Sequence, residues 1–257
     1  MRKRFTRAFY AVSAAAVVAS SLGLSVGTAS AVTHVKKDTV ACGSDCISLF
    51  NAQLGSATVY EAGGRHGYVD ADLVQVVPGS RVAGPARTVR CGQDDNLMAH
   101  AVMAEVQPGE VIVLSMPEPR PVALIGELLA TQASAHGAAA ILVDGSVRDV
   151  EELAELGLPI WARWVRVRGA TKDVAGTIGV PVEVGGVTIR QGDVVVLDAD
   201  GAAVVARELV DEVLESSRER AEAERSKRSK LQEGALSFEL DGLRARLQER
   251  SPADPPR

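Results

Sequence analysis

Aromatic side chains are scarce, with Phe, Trp and Tyr supplying only 4% of the 257 residues. A core built on stacked rings is therefore excluded. Ala, Val, Leu and Ile must fill it, and the 24 glycines favour the close element packing of an α/β protein. Cysteine is scarcer still: Cys42, Cys46 and Cys91 cannot all pair with one another, and no CxxC metal pattern occurs. The four histidines, His34, His66, His100 and His136, form no metal-ligand pair at i,i+4 spacing. There is no glycine-rich phosphate fingerprint and no GxSxG nucleophile motif. The formal net charge of −5 argues against general nucleic-acid binding.

What the chain does have is most concentrated in Gly126 to Asp149, GELLATQASAHGAAAILVDGSVRD. Gly126-Glu127-Leu128-Leu129 opens a helix that Gly137 stops, and Ala138 to Val143 is an apolar run of strand length. Asp144-Gly145 reads as a turn. The stretch ends in the adjacent pair Arg148–Asp149. Helix-start amides bind anions, a guanidinium holds a carboxylate with a planar fork, and one loop aspartate suffices to anchor a largely hydrated Mg²⁺. Such a set suits a small 2-oxo acid. The alternative is a surface ion pair that merely begins the helix VEELAEL.

The flanking segments can be taken in order. Residues 1–31 carry a basic start (Arg2, Lys3, Arg4, Arg7), an uncharged Ala8 to Leu24 run and Ala29-Ser30-Ala31, the pattern of a secretory signal peptide. A membrane anchor or a misassigned start are the competing readings. If the signal is used, the mature protein is extracytoplasmic with no stable membrane span. Residues 32–46 form a polar arm in which Cys42 and Cys46 are either a small disulfide or two free thiols. A helix is expected from about Ile47, with Leu49, Phe50 and Leu54 on one face, running through Val59 and Glu61 to a Gly63-Gly64 stop. Strands are expected over Val69 to Val77 and Arg81 to Arg90, the second interrupted by Gly84-Pro85-Ala86 and so an edge or a bulge. A short helix over Asn96 to Glu105, a strand over Val111 to Leu114 and a loop at MPEPRP precede the central stretch.

Beyond it, a helix over Val150 to Leu156 and a strand over Ile160 to Val165 lead into a basic piece. Arg163, Arg166, Arg168 and Lys172 there are either solvated charge or a second cation near the substrate, with Lys172 the best candidate. Short strands over Gly179 to Val184, Val187 to Ile189, Val194 to Leu197 and Ala202 to Ala206 follow. Glu208 to Lys230 is a long charged helix, solvated or packed on another subunit, and residues 241–257 read as a disordered or extended tail.

The order ATVYEAGGRHG, RVAGPARTV, PGEVIVL, GELLATQASAHGAAAILVDGSVRD, GATK and GVTIRQGDVVVLDADGAAVV resembles the family of the regulator of ribonuclease E activity A (RraA-like) and the class II pyruvate aldolases. The likeness covers about residues 47 to 240 and includes an acidic residue, twenty residues, then Arg-Asp, here Glu127 and Arg148-Asp149. It implies a single-domain β/β/α sandwich of the swivelling-domain type with a long C-terminal helix, assembled as a homotrimer or homohexamer. It implies a metal-dependent lyase that cleaves 4-hydroxy-2-oxo acids to pyruvate and decarboxylates oxaloacetate. Asp149 would be the Mg²⁺ (or Mn²⁺) ligand, and Arg148 would contact the substrate and its enolate oxygen. Gly126, Glu127 and the amides of Leu128 and Leu129 would hold the carboxylate. Lys172 falls where the family has a pocket lysine, and Glu61 where it has an acid beside the metal waters. Glu224, with Glu222 as competitor, would reach a neighbouring subunit's site. Family members act in the cytoplasm, at odds with the signal-like start. The contrasting expectation is a non-catalytic RraA-like regulatory or binding protein, a class that lacks the Arg-Asp pair.

Overall fold

A computed structural model describes Phe50 and residues 54–249. The signal-like segment, the arm with Cys42 and Cys46, and the last eight residues lie outside them. No helix among the described residues is long and apolar enough to cross a membrane.

The strands are nearly all valine, isoleucine, leucine and alanine because most are covered on both faces. They are β1 (Val74–Gln75), β2 (Val82–Arg90), β3 (Val111–Ser115), β4 (Ala123–Ile125), β5 (Ala140–Val147), β6 (Ile160–Val165), β7 (Thr177–Ile178), β8 (Val182–Val184), β9 (Val187–Ile189), β10 (Val194–Asp198) and β11 (Gly201–Val205). The helices are α1 (Ser56–Ala62), α2 (Leu97–Val102), α3 (Glu127–Ala135), α4 (Val150–Leu156), α5 (Val210–Gln232), α6 (Ser237–Leu240) and α7 (Leu243–Glu249). The main sheet runs β1-β6-β5-β3-β2-β10-β11, with β4 branching onto β5 and β7 onto β2. Its centre, β2-β3-β5-β6, is parallel, and β10 and β11 add on antiparallel.

Alternation along each strand feeds separate cores. Ile112, Leu114, Ile141 and Val143 point to the layer of α2, α3 and α4, where they meet Met98, Ala130 and Leu153. Val111, Val113, Ala140 and Leu142 point the other way, to Trp161 and the β8–β9 hairpin. On β10 the split is between Val195 and Leu197, in that second core, and Val194 and Val196, in a third core with Phe50, Val59 of α1, and Val213 and Leu214 of α5. A curled sheet with helices on one face, a hairpin on the other and a long C-terminal helix is the expected α/β arrangement.

Several local expectations are corrected. The helix expected from Ile47 does not run through: Leu54 and Gly55 are extended, and α1 starts at Ser56. The cause is long-range. Buried Asp198 accepts hydrogen bonds from the Ser56 amide (2.8 Å) and hydroxyl (2.7 Å), capping the helix from across the sheet. The Val69 to Val77 strand is divided. Tyr68 bridges to Ala203 on β11, whereas β1 pairs with β6 at the far edge of the sheet. Pro85 sits in an interior strand, neither at an edge nor in a bulge. It is tolerated because β2 changes partners there: β10 pairs Val82 to Pro85, β3 pairs from Ala86 onward, and the missing N–H faces the side not yet paired.

Asp144-Gly145 is not a turn but lies within β5. Asp144 is buried and ion-paired to Arg163 of β6, and a Cβ on Gly145 would come 2.9 Å from Met116. β4 follows the expected loop MPEPRP, in residues for which the sequence suggests no element; its pairing with β5 is what defines it. The stretch 243–249, expected in a disordered or extended tail, is helical as α7, and Asp241 just before it pairs with Lys227 of α5 at 2.6 Å.

Candidate active site

Parallel β5 and β4 end side by side, so the loops after them meet. β4 leads through Gly126 into α3, and β5 leads through Arg148 and Asp149 into α4. The backbone of Asp149 is left-handed (φ 60°), which turns its carboxylate back toward α3. Its Oδ2 accepts the Glu127 N–H at 3.1 Å and lies 3.5 Å from Arg148 Nε. The next amides of that first turn, Leu128 and Leu129, have no carbonyl a turn earlier to bond. Gly126 is required for room, not for strain. Its φ of −139° suits any residue, but a Cβ would stand 2.4 Å from Asp149 Oδ2 and 3.1 Å from Arg148 Nε. Gly169 presses on Arg148 from the other side, where a Cβ would be 3.1 Å from Nη1.

These groups line a cavity of about 480 Å³ together with Lys172, Asn96, His100 and Glu152. Lys172 is placed by a carboxylate two elements away. Fully buried Asp95 accepts the Leu97 amide (2.8 Å), the Thr171 hydroxyl (2.6 Å) and the amides of Asp173 (2.6 Å) and Val174 (3.1 Å). Burial pushes the Asp95 carboxyl up, but these four donors outweigh it and hold the group below its ordinary value. Asn96, only 8% exposed, donates Nδ2 to the Leu124 carbonyl (3.0 Å), while its Oδ1 has no partner in the protein. His100 follows one turn later on α2. Burial first, and Lys172 second, lower its pKa, so its ring is neutral at pH 7. Cys91, nearby in the core, is pushed up to about 12 by burial and then by Asp95, and is an inert thiol.

The structure thus gathers Gly126, Glu127, Leu128, Leu129, Arg148, Asp149 and Lys172 around one cavity. It does not bring in Glu61 or Glu224 from the same protomer. Glu61 is on α1, beyond the β10–β11 end of the sheet, and pairs with Arg65 at 3.1 Å. Glu224 is on α5 and pairs with Arg220 at 2.9 Å. Asn96, Asp95 and His100 were missed in the sequence. The available signal was Asp-Asn immediately before a helix with His one turn on, a cap pattern with two side chains on one face.

One carboxylate beside a guanidinium and the open amides of a helix start is, chemically, an arrangement able to take a small anion. Among the described residues no cluster of three or more acidic, His or Cys side chains forms a full metal cage. Asp149 nevertheless fits one ligand of a Mg²⁺ that keeps its waters, since Oδ2 is occupied by protein donors and Oδ1 is not. The particular family follows from comparison: residues 47–204 match the RraA-like (Aldolase/RraA) family, and the chain belongs to it. A protein of Halalkalibacterium halodurans, provisionally named a 4-hydroxy-4-methyl-2-oxoglutarate aldolase, is 34% identical over 168 residues, 65% of this chain and 78% of that one. A Streptomyces coelicolor structure, described as an unusual member of the RNase ES inhibitor RraA protein family, is 32% identical with a TM-score of 0.66, covering 73% of this chain and 98% of that one. An uncharacterized protein from Pseudomonas syringae pv. tomato shares the fold at 24% identity, with a TM-score of 0.70 over 79% of this chain and 96% of its own. The aldolase name among the relatives supports a lyase reading.

Proposed function

We propose that the cavity cleaves 4-hydroxy-2-oxo acids to pyruvate by retro-aldol chemistry and decarboxylates oxaloacetate. The observation that carries this is the Arg148–Asp149 pair set against the first turn of α3 in one cavity with Lys172 and His100. A divalent ion, Mg²⁺ or Mn²⁺, held by Asp149 would supply Lewis-acid polarisation of the keto oxygen. The Leu128 and Leu129 amides bind the substrate carboxylate. Arg148 stabilises the negative charge that develops on the keto oxygen as the carbon–carbon bond breaks. Lys172 adds a second positive charge in the wall. The neutral His100 ring takes the proton of the C4 hydroxyl. Glu61 and Glu224 retain their implied roles only in a homo-oligomer in which α1 or α5 of one copy faces the cavity of the next.

The test is pyruvate release from oxaloacetate and from 4-hydroxy-4-methyl-2-oxoglutarate by the purified protein, with Mg²⁺ or with EDTA. Oxaloacetate decarboxylates spontaneously with metal, so Asp149→Ala is the control. Release well above that control, falling about 10²-fold or more in Arg148→Ala, is expected. Release equal to the control would move the reading to a non-catalytic binding protein; the S. coelicolor relative is described as a member of an RNase inhibitor family.

A further inference from the structure

A second pocket shares no residue with the cavity of Arg148 and Asp149. It holds about 250 Å³ and is lined by α1, the β10–β11 turn and Tyr68. The local backbone explains it. Gly67 is left-handed (φ 78°), and a Cβ there would stand 2.0 Å from the Val204 carbonyl oxygen. That close approach lays Tyr68 antiparallel against Ala203 of β11, so the two side chains leave the same face of the sheet. Ala203 is on the face that packs with Val59 of α1. Ala57 and Tyr60, three apart on that helix, share one side of it, and Tyr60 meets Tyr68. The ring centroids are 5.9 Å apart and the planes are tilted by 58°, so the rings make a corner rather than a stack. The short side chains of Ala57 and Ala203 leave that corner open.

The one charge in the lining is Asp200. Its neighbour Asp198 is committed, since its carboxylate accepts the Ser56 amide and hydroxyl and, at 3.0 Å, the Asp200 amide. The Asp200 side chain is exposed and has no partner among the described residues. Two electron-rich rings at an angle, small apolar walls and one open carboxylate suit a rounded, weakly hydrated cation; a hard metal ion would want more oxygen ligands. Pockets for drug-sized ligands start at about 300 Å³, so the ligand here is small. We propose that this pocket binds a small organic cation of the methylated-ammonium class, with its methyl groups against Tyr60 and Tyr68 and its charge opposite Asp200. The site is independent of the lyase reading.

The test is a ligand-observed NMR titration of the purified protein with choline and with 3,3-dimethylbutan-1-ol, which has the same shape with carbon in place of the charged nitrogen. The variants are Tyr68→Leu, which keeps an apolar wall without the ring, and Asp200→Asn, which keeps the turn without the charge. Tyr68 is 53% exposed and Asp200 sits in an exposed turn, so both variants keep the melting temperature. Choline should bind in the millimolar range, about tenfold more tightly than the alcohol. Each substitution should weaken choline about threefold or more and change the alcohol less than about twofold. Equal affinity for the two ligands would reduce the pocket to an apolar cleft and overturn the assignment. So would a wild type that binds no choline, as when a second copy covers this face, or a choline affinity that either substitution leaves unchanged.

Discussion

Replacing Gly126 with alanine separates function from folding at this site. The backbone there (φ −139°, ψ −174°) accepts alanine without strain. The methyl group, however, would lie 2.4 Å from Asp149 Oδ2, where ordinary contact starts at 3.4 Å. The carboxylate is the free end of a short side chain, so it retreats by about 1 Å rather than breaking the fold. That retreat breaks its hydrogen bond from the Glu127 amide, now 3.1 Å, and moves Arg148 Nε, 3.1 Å from the same methyl position. Hydrogen bonds to charged groups contribute about 1.5–3 kcal/mol. Asp149 is 40% exposed and water replaces part of that, so the stability cost is about 1 kcal/mol, a drop of roughly 2–4 °C in Tm. A displacement of about 1 Å in a metal-binding and charge-stabilising pair costs about 10²-fold in turnover. The assay is kcat/KM for pyruvate release with saturating Mg²⁺, beside a thermal melt of the same preparation. Gly126→Ala with near-normal turnover would refute the placing of the metal and the substrate against this carboxylate. Loss of activity in step with unfolding would refute the separation.

Two further outcomes follow from the titrating groups. His100 is lowered from its ordinary value of 6.5 by burial and by Lys172, so kcat/KM should fall with acid through an inflexion below that value. Lys172→Met should move the inflexion upward, because removing a nearby cation makes the imidazolium less costly; a pH–rate profile without that shift would exclude His100 as the proton acceptor. Asp95→Ala removes the acceptor of four hydrogen bonds and should cost about 3 kcal/mol in urea unfolding. The sign with pH also follows. The folded pKa of Asp95 is depressed, so its contribution is present above an unfolded value of about 3.9 and is lost as the pH falls through the folded value, which makes the acid limb of stability flatter in the variant.

Much of the fold was legible. Apolar runs of strand length marked β3, β5, β6 and β10, and glycine and proline punctuation marked the ends of α3 and α4. The errors have a common source in contacts from far along the chain. Ser56 begins a helix because Asp198, 142 positions away, caps it. Asp144-Gly145 looks like a turn until Arg163 of β6 neutralises the aspartate and lets β5 continue. For β4, three residues in a proline-rich stretch have no periodicity to detect, and only the pairing with β5 makes them a strand.

The site divides in the same way. Spacing along the chain determined the family resemblance, the acidic residue separated by twenty residues from Arg148–Asp149, and the helix start whose amides face them, because those groups sit on two successive βα units. The tertiary structure alone decided the rest. It brought Asn96 and His100, at the start of and within an earlier helix, into one cavity with Arg148, and it used a buried Asp95 to hang the Lys172 loop in the wall of that cavity. It also left Glu61 and Glu224 outside the cavity of their own protomer. A local pattern records groups carried by one continuous segment. A cavity wall assembled from three separated loops depends on how the sheet curls to bring them together, and neighbours in sequence carry no record of that distance.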